Sequence, residues 1–93
     1  MPYIRPVARA ALADGADPIG PGELNYVITL ALLQYIKEFG LTYQTINDIL
    51  GVLVAVQLEF NRRVVVPYEQ QKCKVNGDVY PPWEVSDEQN TQC

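Results

Sequence analysis

Two apolar runs, Leu24–Ile36 and Ile46–Val56, constrain this chain more than any other feature of its sequence. In the first, Leu24, Ile28, Ala31, Tyr35 and Phe39 form a helical stripe. Val27, Leu30, Leu32, Leu33 and Ile36 widen it to most of the circumference. In the second, Ile46, Ile49, Leu53, Val56 and Phe60 recur at alternating steps of three and four, a short coiled-coil-like seam. Leu50, Val54, Leu58 and Val65 make another apolar row beside it. The pattern is too long for a typical strand and keeps helical spacing, so both runs are predicted helices. A helix apolar on two faces has two neighbours to touch. The chain has 93 residues, of which 48% are apolar, whereas a domain this small buries only roughly 60–65% of its chain surface. Copies of the chain are therefore expected to cover one another.

Glycine and proline set the boundaries. Pro2 and Pro6 keep residues 1–5 extended, and Pro6 opens a short helix over Val7–Ala13 that ends at Asp14-Gly15. A loop runs from there to Gly22. The second helix starts near Gly22 or Glu23 and stops at Gly40. Thr42 caps the third helix. Pro67 either kinks that helix or separates it from a short one ending at Asn76-Gly77, because proline cannot bond the Arg63 carbonyl. A strand over Val64–Val66 is the local alternative. Val79, Tyr80 and Trp83 are expected to pack as a strap. Residues 1–80 read as one helical domain and 81–93 as a flexible acidic tail.

Charge and composition exclude several functions. The net charge is −4 and histidine is absent. Non-specific attraction to phosphate backbones is thus disfavoured, and the commonest general base and metal ligand is missing. Cys73 and Cys93 cannot form a zinc site alone, and they read as reduced thiols in a cytoplasm. No secretion signal is visible, and both apolar runs fall short of the roughly 20 residues a membrane span needs.

Met1-Pro2-Tyr3-Ile4, Gly22-Glu23-Leu24-Asn25-Tyr26, Ile49-Leu50-Gly51-Val52-Leu53, Glu59-Phe60-Asn61-Arg62-Arg63-Val64-Val65, Pro67-Tyr68-Glu69 and Asn76-Gly77-Asp78-Val79-Tyr80 occur together. In this combination the chain resembles an uncharacterised family of small proteins of phages, bacteria and archaea. The resemblance spans residues 1–80 and implies a phage or prokaryotic cytoplasmic setting. It implies no activity and assigns no residue a role.

Among polar groups, Glu59, Arg62, Arg63, Tyr68 and Glu69 form the most informative cluster. Glu59 neighbours both arginines at helical spacing. Arg63 falls on the seam where an apolar residue is due, so it must be paired or bind something. An ion pair with Glu59 or Asp48 of a neighbouring helix is the commoner outcome. The alternative is an anion pocket, in which Arg62 or Arg63 grips a phosphate and Tyr68 or Tyr26 stacks on a base. Asn25 and Thr29, one turn apart on an apolar helix, face water or set register, or else belong to such a site. Gly51, inside a helix, predicts close approach of another helix.

An enzyme has little support. Asp48 and Glu59 lie about 16 Å apart along one helix, too far for a shared acid–base site. A metal site from Glu23, Asp48 and Glu59 across subunits would lack the usual Glu-x-x-His pair. A helix-turn-helix over Ile36–Leu50 would offer Gln44, Thr45, Asn47 and Asp48 to DNA, with no basic residue until Arg62.

The sequence thus predicts an all-α fold: a short N-terminal helix, a helical hairpin and a long third helix, assembled as a homodimer or higher oligomer. The expected function is non-catalytic binding, without cofactor or metal, of a protein partner or a small anionic, nucleotide-like ligand at subunit interfaces. A purely structural oligomer is the alternative, and a DNA-binding regulator a more remote one. The candidate binding residues are Arg62, Arg63, Glu59, Tyr68, Tyr26 and Asn25.

Overall fold

A computed structural model describes residues 1–83. All regular structure among them is helical: α1 (Pro6–Ala13), α2 (Pro21–Phe39), α3 (Tyr43–Phe60), a π-helical turn (Asn61–Val65) and α4 (Val66–Asn76). Most of the predicted acidic tail, residues 84–93, lies outside the described residues. Two compact units divide the chain, Met1–Gly51 and the residues from Val52 onward.

In the first unit α1 packs against α2. Leu12 is the buried apolar residue of the contact. Pro6 supplies the first turn of α1 without wasting an N–H. Gly15, at φ +100°, ends it. The Ala16 N–H then reaches the Ala11 carbonyl (3.0 Å), closing the helix as a Schellman turn does. The N-terminal arm lies on the start of α2 and is tied to α1 by the Arg9 Nε, which donates to the Ile4 carbonyl (2.9 Å). Gly22 permits this approach. A Cβ there would sit 3.3 Å from both Ile4 Cγ2 and the Met1 carbonyl oxygen.

Pro21 opens α2, one residue ahead of the predicted start, and the Glu23 Oε1 accepts the Ile19 N–H at 3.2 Å. An acidic side chain reaching back over the first turn satisfies the N–H of the residue just before the cap. Gly40, at φ +86°, ends α2, its N–H bonded to the Ile36 carbonyl (2.7 Å). Thr42 caps α3 as predicted: its Oγ1 accepts the Thr45 N–H at 3.1 Å. Thr45 is itself buried, its hydroxyl 3.0 Å from that of Thr42. The side-chain bond across the turn is polar, from the Tyr35 hydroxyl to the Asp48 Oδ2 (3.1 Å). Leu33, Ile46 and Leu50 remain exposed.

In the second unit helical bonding runs without a gap from α3 through the π turn into α4. The Val66 N–H bonds to the Asn61 carbonyl, five residues back, which defines the wide turn. The turn sits immediately before Pro67. A proline ring clashes with the carbonyl four residues earlier and leaves it without a donor. One wider turn gives the ring room, so Pro67 does not break the helix. Val64–Val66 are helical, which removes the strand alternative. Gly77, at φ +91°, ends α4, with its N–H on the Cys73 carbonyl (2.8 Å).

Three expectations from the sequence do not hold. Val79, Tyr80 and Trp83 do not pack as a strap. They are 87%, 72% and 66% exposed, because α4 offers Glu69, Gln70, Gln71 and Lys72 rather than an apolar face to receive them. Gly51 meets no neighbour: a Cβ there would find nothing within 4 Å. Cys73 is disulfide-bonded rather than reduced. Cys93 lies outside the described residues.

Candidate functional site

The candidate residues fall in both units. Glu59 is on the last turn of α3, Arg62 and Arg63 are in the π turn, and Tyr68 is in the first turn of α4. Asn25 and Tyr26 are on α2.

Glu59 gathers both arginines. The Arg62 Nη2 donates to its Oε1 at 2.9 Å, and the Arg63 Nη1 approaches its Oε2 at 3.6 Å. All three side chains are more than half exposed. Each pair is therefore worth only about 0.3–0.5 kcal/mol, as for other solvated helix pairs. Arg63, expected on the apolar seam, is 72% exposed and turned to Glu59, and it lines one hollow with the seam residues Val56 and Phe60. Ala55, Val56, Glu59, Phe60, Arg63 and Val64 line a shallow hollow of about 510 Å³. It is apolar between Val56, Phe60 and Val64, with one carboxylate and one guanidinium among its other walls.

Tyr68 is not brought to the arginines by any hydrogen bond. Its exposed ring lies 5.6 Å from the Lys72 Nζ, one turn on, within cation–π distance. Lys72 is a cation the sequence reading did not single out, although its spacing of four from Tyr68 is the signal that finds it. Lys72, Glu69, Cys73 and Asp78 border an open groove of about 660 Å³, which runs along α4 into the loop up to Tyr80. Its mixed charges single out no anion.

On α2, the Asn25 Oδ1 accepts the Thr29 hydroxyl at 3.0 Å, so this pair satisfies itself within one helix. Tyr26 is half-buried. The polar group with the clearest electrostatic perturbation is Tyr35, which sequence reasoning placed only in the apolar stripe. The hydrogen bond to the Asp48 carboxylate, some desolvation and the charge of Asp48 together raise its phenol above the ordinary value of 10.0. Gln44 also binds Asp48, from Nε2 to Oδ1 at 2.8 Å. Two side chains of the would-be DNA-reading turn are thereby committed to a contact within the protein. Among the described residues, no group of three or more His, Cys, Asp or Glu side chains is placed to hold a metal ion. No helix among them is long and apolar enough to cross a membrane.

The fold and its polar groups define a small all-helical protein whose third helix is long and whose charged cluster is solvated. The chain belongs to the family described as a domain of unknown function, DUF6899, whose profile matches residues 1–79. No curated protein and no solved structure matches the chain.

Proposed function

We propose that this is a non-catalytic binding protein of prokaryotic or phage origin that works in the cytoplasm as a helical homo-oligomer. It holds a protein partner or a small anionic, nucleotide-like ligand where its subunits meet. One observation carries the reading. From Val52 to Trp83 no residue is buried, and thirteen large hydrophobic side chains are exposed. At roughly 60 Å² of apolar surface each, taken from the transfer energies of such side chains, they leave on the order of 800 Å² uncovered. Summed over several faces of α3 and α4 and the loop beyond, that is enough apolar area for one partner's share of a standard-sized interface, about 800 Å². An isolated helix draws little stability from its own hydrogen bonds and needs a packed apolar face.

In this reading Pro67 kinks the third helix, since its ring displaces the Arg63 carbonyl. Arg63 in the wall of the hollow, with its neighbour Arg62, supplies the affinity for an anion, with Glu59 offsetting part of their charge. Native mass spectrometry of the protein purified from its own host tests the proposal. The expected result is a multiple of the 10.4 kDa chain, with a retained partner or ligand mass. A bare oligomer would favour the purely structural alternative. A single chain at all concentrations would overturn the proposal. Titration calorimetry with mono- and cyclic nucleotides tests the ligand: heat that is lost in an Arg62→Ala/Arg63→Ala variant supports it, and no heat with any of them removes it.

A further inference from the structure

We propose that the face formed by Val56, Phe60 and Val64 docks against the same face of a second copy, antiparallel, with Arg63 of each copy reaching Glu59 of the other. This rests on the self-association proposed above and specifies its geometry. The three apolar residues succeed one another at steps of four, each between 49% and 59% exposed. They form a continuous row with nothing on it. Ala55, a small side chain beside Val56 and Glu59, leaves room for a hollow of about 510 Å³ that a large side chain of the second copy can fill.

Charge decides the occupant and its direction. The hollow carries one acidic and one basic wall, Glu59 and Arg63, about 6 Å apart along the axis by helical rise. A two-fold interface brings the same patch to itself. Antiparallel docking about an axis near Asn61 places each Glu59 opposite an Arg63. Parallel docking places Glu59 beside Glu59 and Arg63 beside Arg63, which is repulsive. Within one chain Arg62 already holds the Glu59 Oε1 at 2.9 Å, while Arg63 stands off at 3.6 Å. Arg63 is thus the guanidinium free to turn outward, and the Glu59 Oε2 the oxygen free to accept.

The test uses full-length chains. Glu59→Arg and Arg63→Glu are each expected to weaken self-association at least tenfold, since each sets like charges across the interface. Mixing the two variants is expected to restore it, with native mass spectrometry showing the mixed dimer well above the statistical half. Neither variant regains its pair within the chain on mixing, so recovery reports contact between chains alone. Circular dichroism checks that each variant is helical. Arg63→Gln, a milder change at an exposed position, is expected to weaken association at low salt and to leave it unchanged at high salt. If the wild type associates but both charge variants associate equally well and mix statistically, this face is wrong and self-association stands. If the wild type never associates, both fail together.

Discussion

Removing the ring of Phe60 separates a chain that ends at its own surface from one that continues into a second copy. Phe60 is 57% exposed on α3. A phenylalanine buries about 150–250 Å² when fully covered, so roughly 110 Å² of it remains to be covered by another molecule. Phe60→Ala keeps a methyl group and forfeits about 80 Å² of that area, worth about 2 kcal/mol per copy at 25 cal/mol per Å². In a two-fold dimer the loss occurs twice, about 4 kcal/mol, or roughly a thousandfold in dissociation constant. The fold of the single chain loses little, within about 0.5 kcal/mol, as for most exposed substitutions. Sedimentation equilibrium over a wide concentration range reads the first quantity, and circular dichroism at low concentration checks that helicity is kept. An unchanged dissociation constant in Phe60→Ala refutes the assignment of this face. A dissociation constant that shifts together with a collapse of helicity would mean that Phe60 supports the helix itself.

Thr42→Ala removes the acceptor of the Thr45 N–H and is expected to cost about 1 kcal/mol. Thermal unfolding should then show a midpoint roughly 4–8 °C lower for a chain of this size. Gly51→Ala has open space to enter and should gain about 1 kcal/mol of helix propensity. A raised midpoint supports an open position, and a lowered one would show that another helix packs there. Tyr35 is expected to ionise above 10.0, seen as a delayed step in the ultraviolet titration of the tyrosines, and Asp48→Asn should bring that step down. Its folded value lies above its unfolded one, so its stabilising contribution is complete below about pH 10 and lost as pH rises through the raised value. A Tyr35 step that Asp48→Asn does not move would rule out the bond as its cause.

Local chemistry made much of the helical layout legible. Pro6, Gly15, Gly40, Thr42 and Gly77 act within one turn of their own position, and the elements begin or end beside them. The spacing of Glu59, Arg62 and Arg63 likewise brings the three together whatever else the chain does. The same spacing put Arg63 beside the seam residues Val56 and Phe60, and all three line one hollow. A single wide turn before Pro67 changes the register, and no periodicity count carries that information.

The sequence by itself determined that this chain is helical, where its helices are capped and which charges pair along them, because those outcomes depend on neighbours one turn away. The tertiary structure alone decided that Val79, Tyr80 and Trp83 find no surface to cover, that Gly51 faces open space and that Tyr35 bonds Asp48. Those depend on distances between segments remote in the chain, which hydrophobic pattern constrains only weakly.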